Sequence, residues 1–80
     1  HDGFRYVIWP NDHLAPHVHV FRAGSEAIIE LGSDESLPFV KLNYGMNRRE
    51  LSIALVVVAS NKNEFLKHWE ETHGKIDDDN

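Results

Sequence analysis

Apolar and polar residues alternate singly along the first half of this chain and recur every three or four positions along the second. A period of two marks strands, and a period of 3.6 marks helices. Phe4 to Trp9 reads as a first strand, rich in aromatic and β-branched residues and stopped by Pro10. Phe4, Tyr6 and Ile8 share one of its faces; Arg5, Val7 and Trp9 share the other. Asn11 to Pro16 has turn chemistry. His17 to Arg22 is a second strand, with Val18 and Val20 pointing one way and His17 and His19 the other. Ala23-Gly24-Ser25 suits a hairpin turn. Glu26 to Leu31 is a third strand, Gly32 to Ser36 a polar loop, and Phe39 to Leu42 a short fourth strand entered from Pro38.

Residues 46–73 contain neither Gly nor Pro and read as helical, although Ile53 to Ala59 alone would also suit a buried strand. The flanks favour helix. Asn47 with Glu50 resembles a capping box, Met46 and Leu51 its accompanying staple, and Asn61 with Glu64 repeats the signal. Gly74 is placed to stop the segment. The stripe Leu51, Leu55, Val58, Phe65 and Trp69 stays in phase throughout, as one rod would. Such a rod over residues 47–73 would be about 40 Å long. A compact domain of this size is roughly 30 Å across. A break or kink within residues 60–63 is therefore expected, leaving two consecutive helices.

The pattern predicts an α+β fold: a small antiparallel sheet of three or four strands packed against a C-terminal helical segment. The face bearing Val18 and Val20 is expected to meet the helical stripe. Ile53, Val56 and Val57 fall outside that stripe. With Arg48 and Arg49 they form a candidate interaction surface, for a partner or a second copy of the chain. The alternative is that the second helix or the loop at 32–38 folds over them.

Composition narrows this picture. The chain has 80 residues, 41% of them hydrophobic, and is expected to form one domain over residues 1–76, with 77–80 as an acidic disordered tail. No run approaches the roughly 20 apolar residues that cross a bilayer. A soluble, cytoplasmic protein is the default expectation. The net charge of −5 argues against broad capture of nucleic acid. The pair Arg48-Arg49 at a helix start, with nearby aromatics, keeps a local contact open. There is no cysteine, so thiolate chemistry is excluded.

The densest chemistry lies in Asn11 to Val20, which holds three of the six histidines. Asp12, His13, Pro16, His17 and His19 form the candidate functional site. On one strand face the Cα atoms of His17 and His19 stand about 6–7 Å apart. Both imidazoles then reach one divalent transition metal, with His13 as a third ligand and Asp12 as a fourth or as an acceptor behind one. The plainer alternative has the two rings facing solvent or packing on Trp9. General acid–base work is also open, with Asp12, Glu26 or Glu30 orienting a histidine. No nucleophile elbow or phosphate loop accompanies the serines. His68 and His73 are expected at the surface, and Trp69 in the core.

The run Asp2-Gly3-Phe4-Arg5-Tyr6, followed by Asn11-Asp12-His13 and Pro16-His17-Val18-His19-Val20, resembles a family of small bacterial proteins known as domain of unknown function 4160. Arg49-Glu50-Leu51, Asn63-Glu64-Phe65-Leu66 and Trp69 resemble its helical end. Ala15 stands where the family usually has proline or a longer insert. The resemblance implies company rather than chemistry: a neighbouring small protein, in a toxin–antitoxin-like pair. A protein-binding module is the leading expectation. A His-cluster metal protein, with or without hydrolase or nuclease activity, is the alternative.

Overall fold

The structure is a computed structural model that describes residues 3–10, 15–33 and 35–73. Strands β1 (Arg5–Val7), β2 (His17–Arg22), β3 (Ser25–Glu30) and β4 (Phe39–Tyr44) precede helices α1 (Arg48–Ser60) and α2 (Lys62–His73). The strands form one antiparallel sheet in the order β1-β2-β3-β4. This is the α+β fold that the pattern predicts. Two bounds differ. β1 is shorter than Phe4 to Trp9, because Ile8 turns into the core and Trp9 leaves the ladder; β4 runs on to Tyr44.

The β2–β3 turn is made by Ala23 and Gly24, at φ values of 47° and 86° between the Arg22–Ser25 pair. Positive φ at both central residues matches the right-handed twist of the flanking strands. Glycine adopts it freely, whereas Ala23 is a strained choice. At the entry to α1 the expected capping box is present. The Asn47 side chain accepts from the Glu50 backbone N–H at 2.8 Å, and the Glu50 carboxylate accepts from the Asn47 backbone N–H at 3.0 Å. Glu50 also accepts from Arg22 Nε at 3.3 Å, which ties the end of β2 to the start of α1. Met46 is buried, and Leu51 packs on the core.

The helical segment breaks at Asn61, inside the expected window. Its backbone N–H bonds the Val57 and Val58 carbonyls, its side-chain amide donates back to Val57 at 2.8 Å, and its carbonyl accepts from Phe65. One residue thus ends α1 and starts α2. Size does not force this break, because the longest dimension of the molecule is 41 Å, about the length of the rod. The local bonding of Asn61 does.

The core sits between one sheet face and the helices. Val18, Val20, Ala27 and Ile29 are fully buried, and Phe4, Ile8, Leu31, Met46, Ala54, Val58 and Trp69 complete it. Tyr6, Val40, Leu51, Leu55, Phe65 and Leu66 pack around its edge. The helical stripe therefore meets the Val18–Val20 face as expected, with Ala54 and Val58 fully buried.

Candidate functional site

Register decides which residues share the other face of the sheet. Val18 pairs with Ile29 and Val20 with Ala27 on the buried face. The intervening pairs, His17 with Glu30, His19 with Ile28 and Phe21 with Glu26, project from the opposite face. Arg5 and Val7 extend that face through β1, opposite Phe21 and His19. Phe39, Leu42 and Tyr44 extend it through β4, opposite Glu30, Ile28 and Glu26. The register shifts between Ile28 and Ile29, which leaves Lys41 as an extra residue in β4.

His17 and His19 lie together, with ring centroids 5.2 Å apart. The alternative in which both rings face solvent or pack on Trp9 does not hold for His17, which is only 7% exposed. It is the first residue of β2, and at that end of the sheet its ring meets Trp69 of α2 with centroids 5.2 Å apart. His17 Nδ1 bonds the Ala15 carbonyl at 2.9 Å. His19 is half-buried between Trp9 and Phe21, at centroid distances of 6.2 and 6.4 Å, and its Nδ1 bonds the Glu26 carboxylate at 2.8 Å. Glu26 is thus the carboxylate that orients a histidine. Glu30 pairs instead with Lys41 at 3.3 Å. A carbonyl and a carboxylate only accept, so both Nδ1 atoms carry the proton, and in each neutral ring the lone pair lies on Nε2.

Pro16 is half-buried, and its carbonyl accepts from the Leu31 N–H at 2.9 Å, which holds the start of β2 against the end of β3. Asp12 and His13 lie outside the described residues. Among those described, no three His, Cys, Asp or Glu side chains group as metal ligands. An open cleft of about 600 Å³ runs between Pro16, Glu30, Phe39, Leu66 and Glu70. Its floor is shaped by Gly32, at φ 77°, where a Cβ would stand 2.7 Å from Ser36 Oγ. Lys62 donates to the Ser33 and Ser36 carbonyls and pins that loop to α2.

The second candidate surface is on α1. Arg48, Arg49, Ile53 and Val56 are exposed, Val56 to 64%, and Val57 is half-buried. Neither α2 nor the loop at 32–38 covers Val56. His73 also departs from its expected place at the surface. His73 is half-buried, stacked on Trp69 at 3.8 Å, with Nδ1 on the Trp69 carbonyl at 3.1 Å and Nε2 on the Trp9 carbonyl at 2.9 Å. It stands in the last turn of α2. The four-residue spacing from Trp69 to His73 was the signal for the stack; nothing local signals the bond to Trp9.

The arrangement defines a class: a four-stranded antiparallel sheet with two consecutive helices, whose histidines and several aromatic residues project from the sheet face opposite the Val18–Val20 core. The model of the family described as Domain of unknown function (DUF4160) matches residues 3–70, and the chain belongs to that family. No curated protein and no solved structure matches the chain. Among the described residues no helix is long and apolar enough to cross a membrane.

Proposed function

We propose that this chain is a protein-binding module, one half of a pair of small bacterial proteins encoded side by side in a toxin–antitoxin-like unit in the cytoplasm. The observation that carries this reading is the exposure of β4. Phe39, Leu42 and Tyr44 are 49%, 43% and 56% exposed on the sheet face away from the helices, beside Ile28. Scattered single apolar residues are normal on a surface, but large ones gathered on one strand mark a docking surface.

β4 is also an edge strand. An edge is a template for adding a strand, yet here the ladder is interrupted at Lys41, and a bulge with a lysine is a usual guard against edge pairing. The partner therefore lies on the face formed by Phe39, Leu42 and Tyr44 rather than extending the ladder. Glu26 and Glu30 on the same face work against phosphate and in favour of a protein partner.

The test is co-expression with the product of the neighbouring gene. The wild-type chain retains that product through purification. A Leu42→Lys/Tyr44→Lys variant releases it while melting as the wild type does. Failure of the wild type to retain the product overturns the pairing, and retention by the variant moves the docking surface elsewhere.

A further inference from the structure

We infer that the cleft at one end of the sheet receives an arginine side chain, carried between apolar residues on the partner protein. This rests on the protein-binding reading above and names a contact that the partner makes. The register sets the ends of three strands side by side. β2 begins at His17, opposite Glu30 at the end of β3, and Glu30 lies opposite Phe39 at the start of β4. Helix α2 brings Leu66 and Glu70 to the same end, and the space between is the cleft of about 600 Å³. Pockets of roughly 300–1,000 Å³ are the usual size for binding sites. The walls are held by bonds of their own. The Pro16 carbonyl accepts from the Leu31 N–H at 2.9 Å, and Ser36 Oγ accepts from the Ser33 N–H at 2.8 Å. Lys62 donates to the Ser33 and Ser36 carbonyls. A site fixed in this way loses little freedom when it is filled.

The lining decides the chemistry of the occupant. Pro16, Phe39 and Leu66 supply apolar wall, and among the described residues Glu30 and Glu70 are the charged side chains that line it. Lys41 engages Glu30 through Oε2 at 3.3 Å, which leaves Oε1 to accept from a ligand. Glu70 is exposed and makes no ion pair among the described residues. An anion is repelled here, in a chain of net charge −5. An aliphatic stem with a cationic head matches both parts of the lining, because long basic side chains lay the stem on apolar surface. Arginine fits better than lysine. Its guanidinium is the more weakly hydrated, pairs with a carboxylate through two N–H groups and stacks on aromatic faces. Phe39, 49% exposed, offers such a face. Phe39 also belongs to the docking surface with Leu42 and Tyr44, so a partner seated there borders the cleft.

The full chain, labelled with ¹⁵N, is titrated with the peptide acetyl-Leu-Arg-Leu-amide. The control is the same peptide with citrulline, which keeps the shape of arginine and removes its charge. The arginine peptide shifts the amide resonances of Gly32, Ser33, Leu66 and Glu70 to saturation, and the citrulline peptide binds about 3- to 5-fold more weakly. Glu70→Lys, at an exposed helix position, weakens the arginine peptide about 10-fold and leaves the citrulline peptide unchanged. The amide spectrum of the variant confirms its folding. Absence of saturable shifts at these amides overturns the site. So does equal binding of the two peptides, or full affinity for the arginine peptide in Glu70→Lys. Retention of the neighbouring gene product is a separate readout. If the wild type retains it and no peptide binds, the cleft fails and the pairing stands. If the arginine peptide binds as described and no product is retained, the pairing fails and the cleft stands.

Discussion

The two faces of the sheet are built from the same strands and differ residue by residue. On the helix side Val18, Val20, Ala27 and Ile29 have no exposure at all. One position along, His19, Ile28, Leu42 and Tyr44 remain half-buried or exposed. Apolar area removed from water stabilises by about 25 cal/mol per Å², so the first set holds the fold and the second contributes far less to it. Ile28 and Ile29 are neighbours of the same residue type, yet they serve different ends. The outer face is thereby open to binding, because changes there leave the core intact.

The largest effects test where this division stops. Trp69 belongs to the core but also touches the His17 ring, so it joins the two faces at one end of the sheet. Trp69→Ala is expected to cost about 3–5 kcal/mol. Small domains of this kind have only about 5–15 kcal/mol in total, so urea unfolding should shift strongly or be complete in dilute denaturant. The adjacent isoleucines give the cleanest contrast. Ile29→Ala should cost about 2–5 kcal/mol through lost burial and the cavity left behind. Ile28→Ala, on the outer face, should cost less than about half as much by the same measurement. Equal losses would mean that the outer face carries the fold as well, and the comparison would fail.

A smaller effect lies outside the sheet. Asn47→Ala removes the side chain that caps α1 and should cost about 1 kcal/mol, seen as a lower urea midpoint with unchanged slope. The Glu50 carboxylate would keep its bond to Arg22, so the loss is local to the helix entry.

Much of this was legible in the residues, for physical reasons that can be named. Alternation at positions 17–22 fixed which valines face inward, because side chains on a strand have a period of two. The cap at Asn47 and the break at Asn61 were legible because they are made by bonds within four residues. The burial of His17 was not, since it comes from Trp69, more than fifty positions away, at a place where alternation alone predicts solvent. The same applies to His73, whose bond to the Trp9 carbonyl spans 64 positions. The extra residue at Lys41 left no trace in the pattern either. Phe39 to Tyr44 lacks clean alternation, and only pairing with Ile28 and Ile29 reveals the shift. For the candidate site, the sequence singled out Pro16, His17 and His19 and offered Glu26 among possible carboxylates. Which carboxylate, and which ring nitrogen, required the register.

The smallest expected change in stability separates the two exposed apolar surfaces. Leu42→Lys on β4 and Val56→Lys on α1 each place a charge where the side chain is already 43% or 64% exposed. Substitutions at such sites usually alter stability by no more than about 0.5 kcal/mol. Their effects on association should differ. If the partner lies on the sheet face, Leu42→Lys abolishes its retention and Val56→Lys does not. If α1 carries self-association, light scattering shows a wild-type dimer that Val56→Lys or Val57→Lys converts to monomer, with partner retention unchanged. Loss of the partner in Val56→Lys, with Leu42→Lys retaining it, would reverse the assignment. The outer sheet face would then hold the histidine pair but not the protein partner.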